Sequence, residues 1–282
     1  MELIPSVSQQ LWRWPAVLNF ALGGLGAGFY VVAVVAAGAG APRVLEAAPW
    51  LGPALVFLGF AAVATEAGRP LRGGRVLARV ATSWMSRELW LGGVFAALAA
   101  GEAVLHLPGQ RLAAVAAAAA FALSQGFILR EARGVAAWAV PVMPLVFLTS
   151  ALVSGAGLFT LAELTGGRAP ERLLGGGLVV LTLNMLVWSV FITWSGEAAF
   201  AHGVRPLREG HGMLAIVGGG YLAPSLCGAL AITFPELAWP LAAAGALLMV
   251  ASQVYLKAAL VLRAGQLRPI TLPHLSLGRR LS

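Results

Sequence analysis

Long apolar runs alternate with short polar segments along the whole chain, and this alternation predicts the fold. Each run is long enough for one α-helix to cross a hydrocarbon core about 30 Å thick. We therefore predict an all-α integral membrane protein with eight transmembrane helices, arranged as two four-helix bundles in a single domain over residues 1–282. The predicted spans cover roughly residues 14–38, 50–68, 87–106, 111–129, 141–163, 173–194, 212–234 and 237–262.

The composition agrees with a chain that lies mostly in lipid. Hydrophobic residues make up 59% of the 282 residues, and charged residues make up only 11%. Soluble domains carry about 25% charged residues, so a water-facing surface is excluded for most of this chain. The connections between the predicted spans are too short for a sizeable soluble domain. The function must therefore lie within the helix bundle or on its two faces.

Basic residues predict the orientation of the chain in the membrane. Most of the 19 lysines and arginines flank the predicted spans on the same side as the two termini. The positive-inside rule then makes that side, with both termini, cytoplasmic. A surface that docks an acidic partner protein would produce the same asymmetry. Nucleic acid is not an expected partner, because the arginines lie in membrane-flanking loops without interleaved exposed aromatic residues.

Two polar segments on that side stand between apolar runs. They are residues 65–72, Thr-Glu-Ala-Gly-Arg-Pro-Leu-Arg, and residues 83–88, Ser-Trp-Met-Ser-Arg-Glu. Ionisable groups at a membrane boundary are costly unless they are solvated, paired or used in chemistry. If the connection is helical, Arg69, Arg72, Arg75 and Arg79 share one face. That stripe either docks a partner protein or meets lipid phosphates.

Metal-binding residues are scarce in the sequence. The single cysteine, Cys227, can neither form an internal disulfide nor hold an iron–sulfur cluster. Haem needs axial ligands, usually histidine, and none of the four histidines falls in the middle of a predicted span. We therefore predict that this chain holds no metal and no haem of its own.

Several motifs together resemble one family of membrane proteins. They are a Trp-x-Trp at residues 12–14, the glycine-rich stretch 23–28, the two polar segments, and residues 138–149, Trp-x-x-Pro-x-x-Pro-Leu-x-Phe-Leu-Thr. In these motifs the chain resembles the membrane anchor subunits of complex iron–sulfur molybdoenzymes. Within that group it is similar to the DMSO reductase, polysulfide reductase and NrfD-type anchors. The similarity covers roughly residues 12–160.

The resemblance implies a fold, partners and a cofactor. Such anchors are eight-helix proteins of the bacterial or archaeal cytoplasmic membrane. They hold a four-cluster ferredoxin-like iron–sulfur subunit and a molybdopterin catalytic subunit, and they exchange electrons with a quinone, menaquinone or ubiquinone. The anchor contributes the quinone site, while the metals belong to the partner subunits.

The resemblance also nominates residues for the quinone site. Glu66 matches the family position associated with quinol binding, and Glu88 matches a second acidic position. A carboxylate at a span end suits the proton exchange that accompanies quinol oxidation, and Arg69 or Arg87 would pair with it or stabilise a quinolate oxygen. Interfacial salt bridges are the alternative for these four residues.

Other residues on the same side complete the expected site. Asn19 would donate a hydrogen bond to a quinone carbonyl, or instead bond a neighbouring helix. Trp84 and Trp138 would wall the site, or anchor the chain in the interfacial aromatic belt. Polysulfide-type anchors carry an aromatic hydroxyl in the fourth helix, where this chain offers Ser124, Gln125 and Arg130.

Two further pairs of intramembrane residues have alternative interpretations. Glu102 and His106, one turn apart at the far end of the third span, form a candidate proton path, unless Glu102 reaches out towards Arg111 and water. Gln253 and Lys257, also one turn apart, are expected to bond neighbouring helices or to extend towards the interface.

Two other functions remain open at this stage. A secondary transporter would also have many apolar spans, but its usual inverted repeats are not evident in this sequence. A structural anchor would recruit redox subunits through its arginines and leave quinone binding to another chain.

Overall fold

The chain is almost entirely helical. The structure is a computed structural model and describes residues 2–4, 6–37, 42–65, 77–106, 109–166, 171–268 and 270–271. Eight helices are long and apolar enough to cross a membrane, which confirms the predicted all-α membrane fold. Near the termini, strand β1 (Glu2–Ile4) pairs antiparallel with strand β2 (Ile270–Thr271).

The first half of the chain forms four helices. These are α1 (Trp14–Ala37), α2 (Pro42–Ala64), α3 (Trp84–Leu105) and α4 (Gln110–Arg130). Helix α2 begins at Pro42, whereas its span was predicted to start at residue 50. Pro49 and Pro53 lie inside the helix. His106 ends α3 in the left-handed conformation, with a φ of 51°.

The second half contains four spans and one short surface helix. Helices α5 (Met143–Thr165) and α6 (Glu171–Ile192) are followed by the short α7 (Ala198–Arg208). The seventh span, Gly210–Thr233, joins α8 (Gly210–Met213), a π-helix (Leu214–Leu222) and α9 (Ala223–Thr233). The eighth span, Pro235–Arg263, joins a 3₁₀ turn (Pro235–Leu237), α10 (Ala238–Ala258) and a second π-helix (Ala259–Arg263).

The eight spans pack as two four-helix bundles. In the first half, α1 contacts α2 and α4, and α3 contacts the same two helices. In the second half, α5 contacts α6 and the eighth span, and the seventh span contacts both of those. Helices α1 and α5 join the halves, and because three spans lie between them they run in the same direction across the membrane.

The contact between α1 and α5 depends on glycine. The backbone at Ala151 occupies the place that a side chain on Gly28 would take, and the backbone at Gly28 blocks a side chain on Gly155 in the same way. Small residues allow membrane helices to approach this closely. We call this contact the glycine seam.

The face that carries the termini is strongly basic. Helix α7 is amphipathic and buries Phe200, Val204 and Leu207 while it carries Arg205 and Arg208 in its last turn. On the same side, Arg130, Arg133 and Arg268 line a cleft that also includes Glu131.

Candidate functional site

A buried carboxylate lies near the basic face of the first bundle. Glu88 is four residues inside the start of α3, about 6 Å along the helix at 1.5 Å per residue. Asn19 of α1 donates from Nδ2 to Oε1 of Glu88 at 3.0 Å, and Gln125 of α4 donates from Nε2 to the same oxygen at 3.1 Å. All three side chains are at most 5% exposed. We call this group the amide–carboxylate cluster.

Glycines make room for the cluster. A methyl group built on Gly23 would lie 2.6 Å from Nε2 of Gln125, so any side chain there would displace the amide. Gly59 of α2 approaches Asn19 closely, and a methyl group built there would lie 3.1 Å from Oδ1. The backbone carbonyl of Asn19 also accepts from Nε2 of Gln125 at 3.3 Å, which fixes α4 against α1.

The environment of Glu88 suits proton exchange. Among the residues that the structure describes, no lysine or arginine forms an ion pair with it, and its donors are neutral amides. A cationic partner would hold the carboxylate in its charged form, whereas neutral amides leave both protonation states accessible. Oδ1 of Asn19 and Oε1 of Gln125 are buried without a hydrogen-bond partner. The cluster therefore combines a carboxylate with two free acceptors.

The structure describes only some of the predicted site residues. Asn19 and Glu88 meet directly, whereas Glu66, Arg69, Arg72 and Arg75 lie outside the described residues. Arg79 is exposed on the basic side.

Arg87 does not pair with Glu88. Its guanidinium donates to the backbone carbonyls of Val80 and Ala81 at 2.9 and 2.7 Å, and it lies 4.2 Å from the ring of Trp84. Arg87 therefore holds the loop that precedes α3 instead of contacting the carboxylate.

The two candidate tryptophans have different surroundings. Trp84 is half-buried and stacks on Phe127 of α4, with ring centroids 4.1 Å apart. Trp138 is 2% exposed and donates from Nε1 to the carbonyl of Leu260 at 2.9 Å. Trp138 is a core residue of the second half, so its interpretation as an interfacial anchor is wrong.

Glu102, at the far end of α3, has a charged partner. Arg111 of α4 donates to its Oε1 from Nε and Nη2 at 2.8 and 2.6 Å, and the hydroxyl of Tyr30 donates to Oε2 at 3.3 Å. The imidazole of His106 is exposed and makes no hydrogen bond to Glu102 among the described contacts. The arrangement matches the alternative in which Glu102 reaches towards Arg111.

The second bundle contains a polar cluster that the sequence reasoning missed. Asn184 of α6 donates to the hydroxyl of Thr149 at 2.8 Å and accepts from the hydroxyl of Tyr221 at 2.8 Å. Gln253 donates to the same oxygen of Asn184 at 3.5 Å, which confirms the helix-bonding interpretation of Gln253. We call this group the amide–hydroxyl cluster. Its available signal was an asparagine within an apolar run, because such a residue commonly hydrogen-bonds a neighbouring membrane helix.

Lys257 does not extend to the interface. It lies one turn from Gln253 in the eighth span and is 1% exposed, so the prediction that it reaches towards water is wrong. Its ammonium instead lies beside Gly24 of α1, next to Gln125. The amide–carboxylate cluster thus has a buried amine from the second half near Gln125, without an ion pair to Glu88 among the described residues.

In the part of the chain that the structure describes, no group of three or more histidine, cysteine or acidic side chains could hold a metal ion. Cys227 is a free thiol. In comparisons with known proteins, no family model and no curated protein matches the chain.

Proposed function

We propose that this chain is the quinone-binding membrane anchor subunit of a multi-subunit molybdopterin oxidoreductase. In this role it exchanges electrons between the quinone pool and a docked iron–sulfur subunit. The observation that carries the proposal is the buried carboxylate of Glu88, held by two neutral amides close to the basic face. The motifs that resemble iron–sulfur molybdoenzyme anchors supply the reaction class.

Quinone chemistry requires what this cluster offers. Interconversion of a quinone and a quinol moves two electrons and two protons, so a group that exchanges protons must lie beside the ring. Glu88 can take a proton from a quinol hydroxyl and return it without first breaking an ion pair. The free oxygens of Asn19 and Gln125 are acceptors for the hydroxyl groups of the reduced ring.

The location of the cluster supports electron exchange with a partner. Glu88 lies about 6 Å inside the basic face, so a ring bound there is close to a protein docked on that face. Arg130, Arg133 and Arg268 offer that protein a cluster of positive charge beside the spans. Such a surface attracts an acidic subunit and steers its approach.

Three measurements test the proposal, two on the purified chain and one on the native membrane. Solvent extraction of the detergent-solubilised protein should release an isoprenoid quinone. A fluorescent quinol mimic, 2-heptyl-4-hydroxyquinoline N-oxide, should bind at one site with loss of its fluorescence, and added quinol should displace it. Affinity capture from the native membrane should co-purify a subunit whose reduced clusters give iron–sulfur signals in electron paramagnetic resonance. A chain that binds neither the mimic nor any iron–sulfur subunit would contradict the proposal.

A secondary transporter is the second candidate, because one observation favours it. The two bundles repeat the same packing order, and each encloses a buried polar cluster. Parallel repeats of this kind occur in transporters. In proteoliposomes, a transporter would move solute without a redox partner, whereas an anchor would show no flux.

A further inference from the structure

Lys257 is a buried amine that the contacts above do not explain. It is 1% exposed, and among the described residues it makes no hydrogen bond and no ion pair. An intramembrane lysine normally faces a cavity, pairs with another group or extends to the interface. Lys257 is six residues inside the end of its span, about 9 Å along the helix. An ammonium in this position calls for a ligand.

The surroundings of Lys257 contain matching acceptors. A methyl group built on Gly24 would lie 2.7 Å from Nζ of Lys257 and 3.6 Å from Oε1 of Gln125. The two atoms are therefore at most about 6 Å apart, yet they make no hydrogen bond to each other. A single oxygen placed between them, at about 2.8 Å from each, would satisfy both. Because Gly24 has no side chain, Nζ of Lys257 can lie close to the backbone of α1.

We propose that Lys257 and Gln125 bind one oxygen of the quinone headgroup, and that Lys257 favours the form in which this oxygen is anionic. The inference rests on the proposed quinone function and adds a ligand from the second half to a site built by the first. The ammonium donates to the ligand oxygen, and Oε1 of Gln125 accepts from it when it carries a hydrogen. Residues from both halves, rather than from one bundle alone, then form the site.

The substitution Lys257→Met tests this inference in the full-length chain. Methionine keeps the length of the side chain without its charge and suits an apolar span, so the helix should fold as before. Binding of 2-heptyl-4-hydroxyquinoline N-oxide, above the pH at which its hydroxyl ionises, should weaken by about 10- to 100-fold, as expected for a hydrogen bond to a charged group. Lys257→Arg should recover part of the loss.

Two controls separate a ligand contact from a structural role. Gln253→Met changes the same span one turn away, where the amide bonds Asn184, and should leave binding of the probe unchanged. A neutral O-methylated form of the probe should lose less affinity than the anionic probe when Lys257 is replaced. Equal losses for both probes, or unchanged binding of the anionic probe, would overturn the inference.

Binding of the probe to the wild-type chain shows whether a negative result contradicts the role of Lys257 alone or the quinone function as well. If the wild type binds the probe and Lys257→Met binds it equally well, only the role of Lys257 is overturned. If the wild type binds no probe at all, both the quinone function and the inference are overturned.

Discussion

Helix α3 carries two glutamates that are equally buried but differently partnered. Glu88 and Glu102 are each 5% exposed and lie near opposite ends of the helix. Arg111 forms an ion pair with Glu102, whereas neutral amides hold Glu88. The guanidinium compensates the charge of one buried carboxylate, while the other has only neutral hydrogen-bond donors. Equal burial therefore does not imply equal surroundings, and the charge of the neighbour is what differs between the two glutamates.

The largest expected effect is a loss of electron-transfer activity when Glu88 is replaced, but not when Glu102 is replaced. Glu88→Gln keeps an oxygen that accepts from Asn19 and Gln125 but removes the exchangeable proton. Electron transfer from quinol to the iron–sulfur subunit should fall at least about 100-fold, as is typical when a general base is lost. The measurement is quinol-dependent turnover of the assembled complex in membranes. Glu102→Gln, the same change on the same helix, should retain most of the activity, and equal losses in both variants would contradict the comparison.

The effects on stability should have the opposite order: replacing Glu102 should destabilise the protein more than replacing Glu88. Glu102→Gln leaves Arg111 without its partner, and the side chain of Arg111 is 45% exposed, so water compensates part of the loss. We expect a cost of about 1–2 kcal/mol, below the 3–5 kcal/mol of a fully buried pair. Thermal unfolding in detergent should show a lower midpoint for Glu102→Gln than for Glu88→Gln. A midpoint that is lowered more by Glu88→Gln would show that the amide–carboxylate cluster is primarily structural.

Asn184 of the amide–hydroxyl cluster is a buried polar residue without charge, and it can be compared with Glu88. Asn184→Leu removes its hydrogen bonds to Thr149 and Tyr221. Individual hydrogen bonds between membrane helices contribute about 0.6 kcal/mol, so a modest loss of about 1 kcal/mol is expected. Unfolding midpoints measure this loss, and turnover with quinol should be unchanged. A large loss of turnover would place the second bundle in the quinone reaction.

The smallest effect is expected at an exposed ion pair. Glu209 accepts from Arg205 at 2.9 Å on the basic face, and this hydrogen bond raises the pKa of Arg205 above its ordinary value. Because arginine is already charged at any working pH, the shift adds no pH dependence. Glu209→Gln should leave the unfolding midpoint within error of the wild type, since exposed pairs contribute little. A clear drop would mean that another molecule buries this pair.

Much of the fold follows from the sequence because each span is a local property. Twenty apolar residues must cross the membrane as a helix whatever the neighbours are, so the eight runs identified the eight spans. The start of α2 was misplaced: the predicted span began at residue 50, whereas the helix begins at Pro42 and continues through Pro49 and Pro53. Prolines are tolerated in membrane helices, where neighbouring groups satisfy the freed carbonyls.

The site was only partly predictable, because it depends on packing between distant spans. Asn19 and Glu88 were recognisable as polar residues at span ends. That Gln125 bridges them depends on how α4 packs against α1, which no local pattern contains. Lys257 was misjudged for the same reason, since a long side chain can point either to water or inward. Asn184 has no charge and therefore gave a weaker signal than the glutamates.

The glycine seam has a mechanical consequence. At Gly28 and Gly155 the two halves touch backbone to backbone, so no side chain there can change rotamer to accommodate sliding. Alternating access by rocking requires one repeat to tilt against the other around a central site. Tilting across this seam would separate two closely fitted main chains and open a gap in lipid. The halves are therefore built to stay still relative to each other, which suits a protein that moves electrons and protons rather than solutes.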